Sequence, residues 1–258
     1  MGTVSEPALS VVIPAFNEAE RLPGTLARIM AYLRERGESF EIVVVDDGSA
    51  DATAEQARRC GGDTVCVLQN QGNRGKGYSV RRGMLAARGA RRLMTDADLS
   101  TPIGELEKLE AALRDGHDVA IGSRAVRGAR IEVRQPWYRE NLGRVFNLLV
   151  QLAVLPGLKD TQCGFKLFTA EAAEEAFGRS HLDGFAFDVE VLYLARRAGR
   201  RIIEIPVVWR NDAATRVGSF KGFLAFVDVL RIRGNALLGH YPRPIRDSAG
   251  SRPPPAAP

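Results

Sequence analysis

Long apolar runs are missing from this chain. None of its 258 residues belongs to a stretch of roughly 18 or more apolar residues, so no membrane-spanning helix is expected. A secretory leader is not expected either, because MGTVSEPALS lacks both a basic start and an apolar centre. Cysteine is scarce: Cys60, Cys66 and Cys163 form no CxxC pair, and their odd count argues against a disulfide framework and for a reducing compartment. No His/Cys cluster offers a zinc site, and His117, His181 and His240 stand in no catalytic motif. Aromatic residues make up 7%, and no nucleic-acid-binding signature is present. The net charge of +5 therefore points to phosphate-bearing small ligands or an anionic membrane surface rather than to nucleic acid, or simply to a solvated basic surface.

The familiar phosphate loops are absent too. The glycine-rich QGNRGKG (71–77) has two residues between Gly72 and Gly75, where a P-loop needs four, and Tyr78 follows Gly77. It does not read GxGxxG, and no acidic ribose-binding residue follows at the right distance.

What is present is an alternation of two periodicities. LSVVIPAFN (9–17) reads as a strand buried on both faces, and EIVVVDD (41–47), TVCVLQN (64–70), RRLMTDA (91–97) and DVAIGSR (118–124) read as further strands. Helical patterns separate them: Leu22 to Leu33 ending at Gly37, a short helix capped by Asp51 and closed by Gly61-Gly62, then 78–89 and 103–116. The second half is less regular. Helices are expected at 141–157, 188–199 and 220–241, KDTQCGFKLF (159–168) reads as loop then strand, and RIIEIPVVW (201–209) as one strand. The expected fold class is α/β, a Rossmann-like, mostly parallel sheet with helices on both faces. Residues 9–240 form one domain in this reading, with a flexible start at 1–8 and a disordered Pro-rich tail at 241–258.

In such sheets ligands bind beyond the carboxyl ends of the strands. Pro14 to Glu18, Asp46-Asp47-Gly48, Asn70 to Gly77 and Asp96 to Ser100 all fall there. Each could be an ordinary polar turn, but together they read as one pocket. Arg74 and Lys76 supply counter-charge for a diphosphate, and Asp96 and Asp98 are oxygen donors suited to Mg²⁺ or Mn²⁺.

VVIPAFNE, VVVDDGSAD, NRGKG, DADLSTP and GSR, in this order, resemble family 2 glycosyltransferases of the GT-A fold over roughly residues 9–240. DTQCGFKLF, GFAFDVEVLYLA and RVGSF resemble the polyprenyl-phosphate branch, most of all the dolichyl-phosphate β-glucosyltransferases, with the dolichyl-phosphate mannosyltransferases as near relatives. The resemblance implies that Pro14, Ala15, Asn17, Glu18 and Asp47 hold the nucleotide of a nucleotide-sugar donor, and that Lys76 touches the donor. It places Asp96 and Asp98 on metal and donor, with Ser100 standing where the mannosyltransferases carry a metal-side Gln. Arg124 and Arg216 would meet phosphate groups, and Ser219 or Lys221 would take the place of a late GSK motif. Asp96, Asp98, Arg124 and Arg216 are thus the implied catalytic set.

The implied reaction is inverting transfer of a hexose, glucose from UDP-glucose before mannose from GDP-mannose, to a polyprenyl phosphate. A phosphate monoester has a second pKa of about 6 and needs positioning rather than a base. Arg139, Arg216 and Lys166 are candidates for gripping it; a hydroxyl acceptor would instead need Asp98 or Asp188 as base. Helices 141–157 and 220–241, with Arg139, Arg144, Arg231 and Arg233, either simply cover the sheet or suit a peripheral position at the cytoplasmic face of a membrane or against a membrane-protein partner. A soluble acceptor, or a non-catalytic nucleotide-sugar-binding module, is the competing reading.

Overall fold

The computed structural model describes residues 6–133, 137–211 and 219–241. Arg216 and the tail 242–258 lie outside these residues, as do the side chains of Arg139, Ser219 and Lys221. In chain order the elements are β1 (Leu9–Ala15), α1 (Leu22–Arg36), β2 (Phe40–Asp46), α2 (Thr53–Gly61), β3 (Val65–Gln69), α3 (Lys76–Ala86), β4 (Arg91–Thr95), α4 (Leu106–Arg114) and β5 (Val119–Ser123). There follow β6 (Arg130–Val133), α5 (Trp137–Ala153), β7 (Phe165–Thr169), α6 (Ala170–Phe177), α7 (Phe187–Arg197), β8 (Ile202–Pro206), β9 (Val208–Arg210) and α8 (Ser219–Leu237).

Seven strands form one sheet in the order β3-β2-β1-β4-β7-β5-β8. All neighbours are parallel except β7, which runs antiparallel to both β4 and β5. Successive strand residues feed opposite cores. Val12, Val43, Val45, Met94 and Phe168 face α3, α5, α6, α7 and α8. Val11, Ile13, Ile42, Val44 and Leu93 face α1, α2 and α4. Burial on both sides is why these strands read as unbroken apolar runs.

Several expectations are corrected here. Asp51 does not cap α2 in the usual way: Ala52 is the N-cap residue and makes no side-chain cap bond, while Asp51 accepts from the Thr53 amide at 3.0 Å. Helix α3 begins at Lys76 rather than Tyr78, so Lys76 belongs to its first turn. The run 201–209 divides into β8 and β9: the ladder with β5 ends at the Ser123–Pro206 pair, the last residue of each strand, and β9 instead pairs with β6, a strand not foreseen. Helix α6 was not foreseen either: apart from Phe177 at its end, its inner face is Ala172, Ala173 and Ala176, too small to mark an apolar stripe, and Thr169 caps it by accepting from the Ala172 amide at 3.2 Å.

The reversal of β7 positions the site. Thr95, the last residue of β4, pairs with Phe165, the first of β7. Residues 160–164 therefore reach the same sheet edge as Asp96, although they enter a strand rather than leave one.

Candidate active site

Four loops meet at the carboxyl edge. The β1 and β2 loops are laced together through small polar groups. The Asn17 amide donates to Ser49 Oγ at 2.8 Å, and Asn17 Oδ1 accepts from the Ala50 amide at 2.9 Å. The Glu18 amide donates to Thr53 Oγ1 at 2.8 Å. Asn17 sits at φ 56, a left-handed conformation that Asn tolerates better than most residues. The segment Pro14–Glu18 is thereby held as a rigid shelf beside Ala15, which is buried.

Asp47 is turned towards the glycine loop. Its Oδ1 accepts from Asn70 Nδ2 at 2.7 Å and the Arg74 amide at 2.9 Å, and its Oδ2 accepts from the Gly75 amide at 2.9 Å. The carboxylate expected on the nucleotide thus brackets the loop that bounds the pocket. The glycines of that loop serve close packing. A Cβ on Gly75 would stand 2.3 Å from the Asp183 carbonyl oxygen, and one on Gly48 would stand 2.4 Å from the Gly72 backbone. Arg74, expected as a counter-charge, stacks its guanidinium over the Tyr78 ring at 4.6 Å.

The acidic pair lies at the centre. The Asp96 amide donates to the Gly164 carbonyl at 3.2 Å, and Asp96 Oδ1 takes the Lys76 ammonium at 2.7 Å. Burial opposes the Lys76 charge, yet Asp96, Asp188 and Asp98 outweigh it and raise its pKa. Asp98 Oδ1 accepts from the Ser100 amide at 2.8 Å, with Leu99 between them at φ 47. Burial, then the neighbouring Asp96 charge, push Asp98 above the usual carboxylate range. Asp98 also lines an open cavity of about 500 Å³ reaching Arg28, Ser100 and Arg210.

Two ion pairs, one part-buried and one buried, flank this centre. Arg124, expected at phosphate, is committed to Asp160 through Nε at 2.7 Å and Nη2 at 2.8 Å, and lies 5.3 Å from the Trp209 ring centroid. Burial disfavours both charges, but their mutual attraction wins, raising the Arg124 pKa and lowering that of Asp160. Lys166 is fully buried and donates to Asp188 at 2.6 Å and the Cys163 carbonyl at 2.5 Å. Lys166 is therefore a support beneath the site, which overturns its expected grip on an acceptor. Burial raises the Asp188 pKa despite the ammonium groups of Lys166 and Lys76.

No group of three or more His, Cys, Asp or Glu side chains is arranged for a metal ion among the described residues. Asp96 and Asp98 nonetheless present oxygen donors at one strand end, and a hard divalent cation is commonly held by one or two carboxylates with substrate phosphates completing its shell. The donor set fits Mg²⁺ or Mn²⁺ on those terms. Ser100 contributes its amide to Asp98 and its carbonyl to the Arg210 amide at 2.8 Å.

The family model for Glycosyl transferase family 2 matches residues 10–177, which contain this arrangement except Asp183, Asp188 on α7 and the β9 residues Trp209 and Arg210. The chain belongs to glycosyl transferase family 2. This glycosyltransferase is 38% identical over 249 residues to the dolichyl-phosphate β-glucosyltransferase of Homo sapiens, spanning 90% of this chain and 77% of that protein. The Saccharomyces cerevisiae dolichyl-phosphate β-glucosyltransferase is 35% identical, covering 90% and 76%. Among solved structures, Mycobacterium tuberculosis glucosyl-3-phosphoglycerate synthase in complex with UDP superposes with a TM-score of 0.68 at 18% identity, covering 88% of this chain and 80% of that one. A Pyrobaculum calidifontis mannosyltransferase in complex with GDP-Man and Mn²⁺ gives 0.61 at 21% identity, covering 91% and 65%. The fold of this glycosyltransferase is accordingly the GT-A fold.

Asp160 and Gly164 were not singled out as site residues from the sequence. The signal was the motif DTQCGFKLF itself, whose Asp pairs with Arg124 and whose Gly underlies Asp96.

Proposed function

We infer that this glycosyltransferase moves glucose from UDP-glucose to a polyprenyl phosphate with inversion, giving a β-linked lipid-phosphate sugar. The observation that carries the reading is the 38% identity to a dolichyl-phosphate β-glucosyltransferase across 90% of the chain. Pro14, Ala15, Asn17 and Glu18 form the nucleotide shelf, with Asp47 holding the loop that closes it. Asp96 and Asp98 are the residues that would hold a divalent cation. Such a cation neutralises charge on the leaving diphosphate. Lys76 supplies positive charge on the same side, and Arg124 and Arg216 are assigned to phosphate.

Among the described residues the histidines and Asp188 are engaged elsewhere, which supports an acceptor already ionised; Asp98 remains the base that a hydroxyl acceptor would need. His117 Nδ1 lies 3.1 Å from the Ala112 carbonyl, His181 stacks on Tyr241, and His240 lies beside Asn235. Asp188 is tied to Lys166. An acceptor phosphate attacks without giving up a proton in the transfer step.

A lipid acceptor needs a surface that meets the bilayer, and α5 and α8 supply one. Phe146 and Phe226 meet edge to face at 5.2 Å on the inner side of these helices. Leu142, Val145, Leu148 and Leu152 on α5, and Val227, Leu230 and Leu237 on α8, are left exposed. Arg144, Arg231 and Arg233 are exposed on the same helices. No helix among the described residues is long and apolar enough to cross a membrane. Interfacial docking of these helices at the cytoplasmic face is the arrangement proposed.

The test is transfer of labelled hexose to a short polyprenyl phosphate in detergent with Mg²⁺ or Mn²⁺, offering UDP-glucose and GDP-mannose in parallel. Glucose transfer from UDP-glucose is expected. Transfer from neither donor, or transfer only to a soluble hydroxyl acceptor, overturns the reading.

A further inference from the structure

Lys76 belongs to the first turn of α3, where side chains lean back towards the helix start and so over the sheet edge. Its ammonium stands 2.7 Å from Asp96 Oδ1. The neighbouring carboxylates have other partners: Asp188 takes Lys166 at 2.6 Å, and Asp98 Oδ1 takes the Ser100 amide at 2.8 Å. Asp96 is the carboxylate that Lys76 neutralises directly.

The two partners differ in freedom. The Asp96 carboxylate lies against the Cα of Gly164, so closely that a Cβ there would stand 1.9 Å from Oδ2, and its amide is pinned to the Gly164 carbonyl. Lys76 carries its charge on a flexible four-carbon stem and is part-exposed. Asp96 is seated against Gly164 while Lys76 has four rotatable bonds, so of the two partners the cation has the more ways to turn aside.

We propose that Lys76 is a resident counter-ion of Asp96 that changes partners during donor binding, leaving Asp96 to a divalent cation and turning to the diphosphate that arrives with it. The inference rests on the donor-site reading above. Its physical basis is that two cations on one carboxylate oxygen repel, so Lys76 and a divalent ion compete for Asp96. Lys76 displaced alone would lose its anion in a half-buried site. A diphosphate bound alone would face the negative charge of Asp96 and Asp98. Each ligand removes the penalty on the other, and Lys76 is the element that couples them.

The experiment is Mn²⁺ titration followed by electron paramagnetic resonance of the free ion, with and without UDP, on the full chain and on Lys76→Met and Lys76→Gln. Thermal unfolding checks that each variant is folded, and either variant suffices. Without UDP, removing the ammonium should tighten Mn²⁺ binding about tenfold, and the enhancement of Mn²⁺ affinity by UDP should shrink by a similar factor. Mn²⁺ affinity that is unchanged or weaker in both variants overturns the exchange, because Lys76 then does not contend for the cation's place. Tighter Mn²⁺ binding in the variants with no response to UDP in any protein overturns the diphosphate half of the exchange. That second outcome also counts against a UDP-sugar donor, whereas the first leaves the donor reading standing.

Discussion

The Asp96 carboxylate occupies the space that a side chain on residue 164 would need. Its Oδ2 lies 1.9 Å from where a Gly164 Cβ would stand, and its amide donates to the Gly164 carbonyl. Gly164 is therefore a condition of the Asp96 position and through it of the contact with Lys76. Gly164→Ala should push Asp96 off its mark while leaving most of the sheet intact. Hexose transfer should fall by roughly 10²-fold, the usual cost of a misplacement near 1 Å. Steady-state rates and a thermal melt on the same sample check this; a variant of wild-type activity would show that Asp96 has room to spare.

Asp98 sets function against stability. Its pKa is raised by burial and by Asp96, so the folded state holds a proton there more tightly than the unfolded chain does. Stability from this group therefore falls as pH climbs from the unfolded value towards the folded one, and the full penalty is present above both. Asp98→Asn removes that penalty. At neutral pH Tm should rise by about 2 °C, while transfer falls by about 10²-fold or more for want of a charged ligand. A lower Tm in the variant would count against it.

The Arg124–Asp160 pair gives the opposite sign. The Asp160 pKa is lowered because Arg124 outweighs burial. Its stabilisation is present above the unfolded carboxylate pKa and is lost as pH falls through the folded value. Asp160→Ala would leave the Arg124 guanidinium, raised in pKa and largely enclosed, without its carboxylate, at a cost of about 3 kcal/mol in urea unfolding at neutral pH. The difference between variant and wild type should narrow in acid. A constant difference down to low pH would mean that packing, not charge, explains the loss.

On the proposed membrane face, Leu152 is 78% exposed and Leu148 57%. Leu148→Glu and Leu152→Glu should leave the melt unchanged. Co-sedimentation with vesicles containing anionic lipid should weaken by about tenfold per substitution, the value of one buried leucine. Equal binding by wild type and variants would move the docking surface elsewhere.

The apolar runs of β1, β2 and β4 were legible because burial on both faces leaves no polar alternation to read. The polar strand ends were legible because each interrupts such a run. Helix α6 was not, since three of its four buried residues are alanines, which mark no stripe. The break between β8 and β9 was hidden inside one apolar run, although Pro206 marks the place where the ladder stops. Arg124 and Lys166 were legible as site cations but their carboxylate partners were not, because Asp160 and Asp188 lie 36 and 22 positions away.

The sequence alone determined the strand–helix alternation, the four polar loops and the two carboxylates at the end of β4, all of them local patterns of periodicity and spacing. The tertiary structure decided which charges meet. The antiparallel entry of β7 brings Gly164 under Asp96, and the start of α3 at Lys76 sends an ammonium onto the same carboxylate. Strand direction and helix onset are set by packing between distant segments, so no local reading of residues 91–102 could supply them.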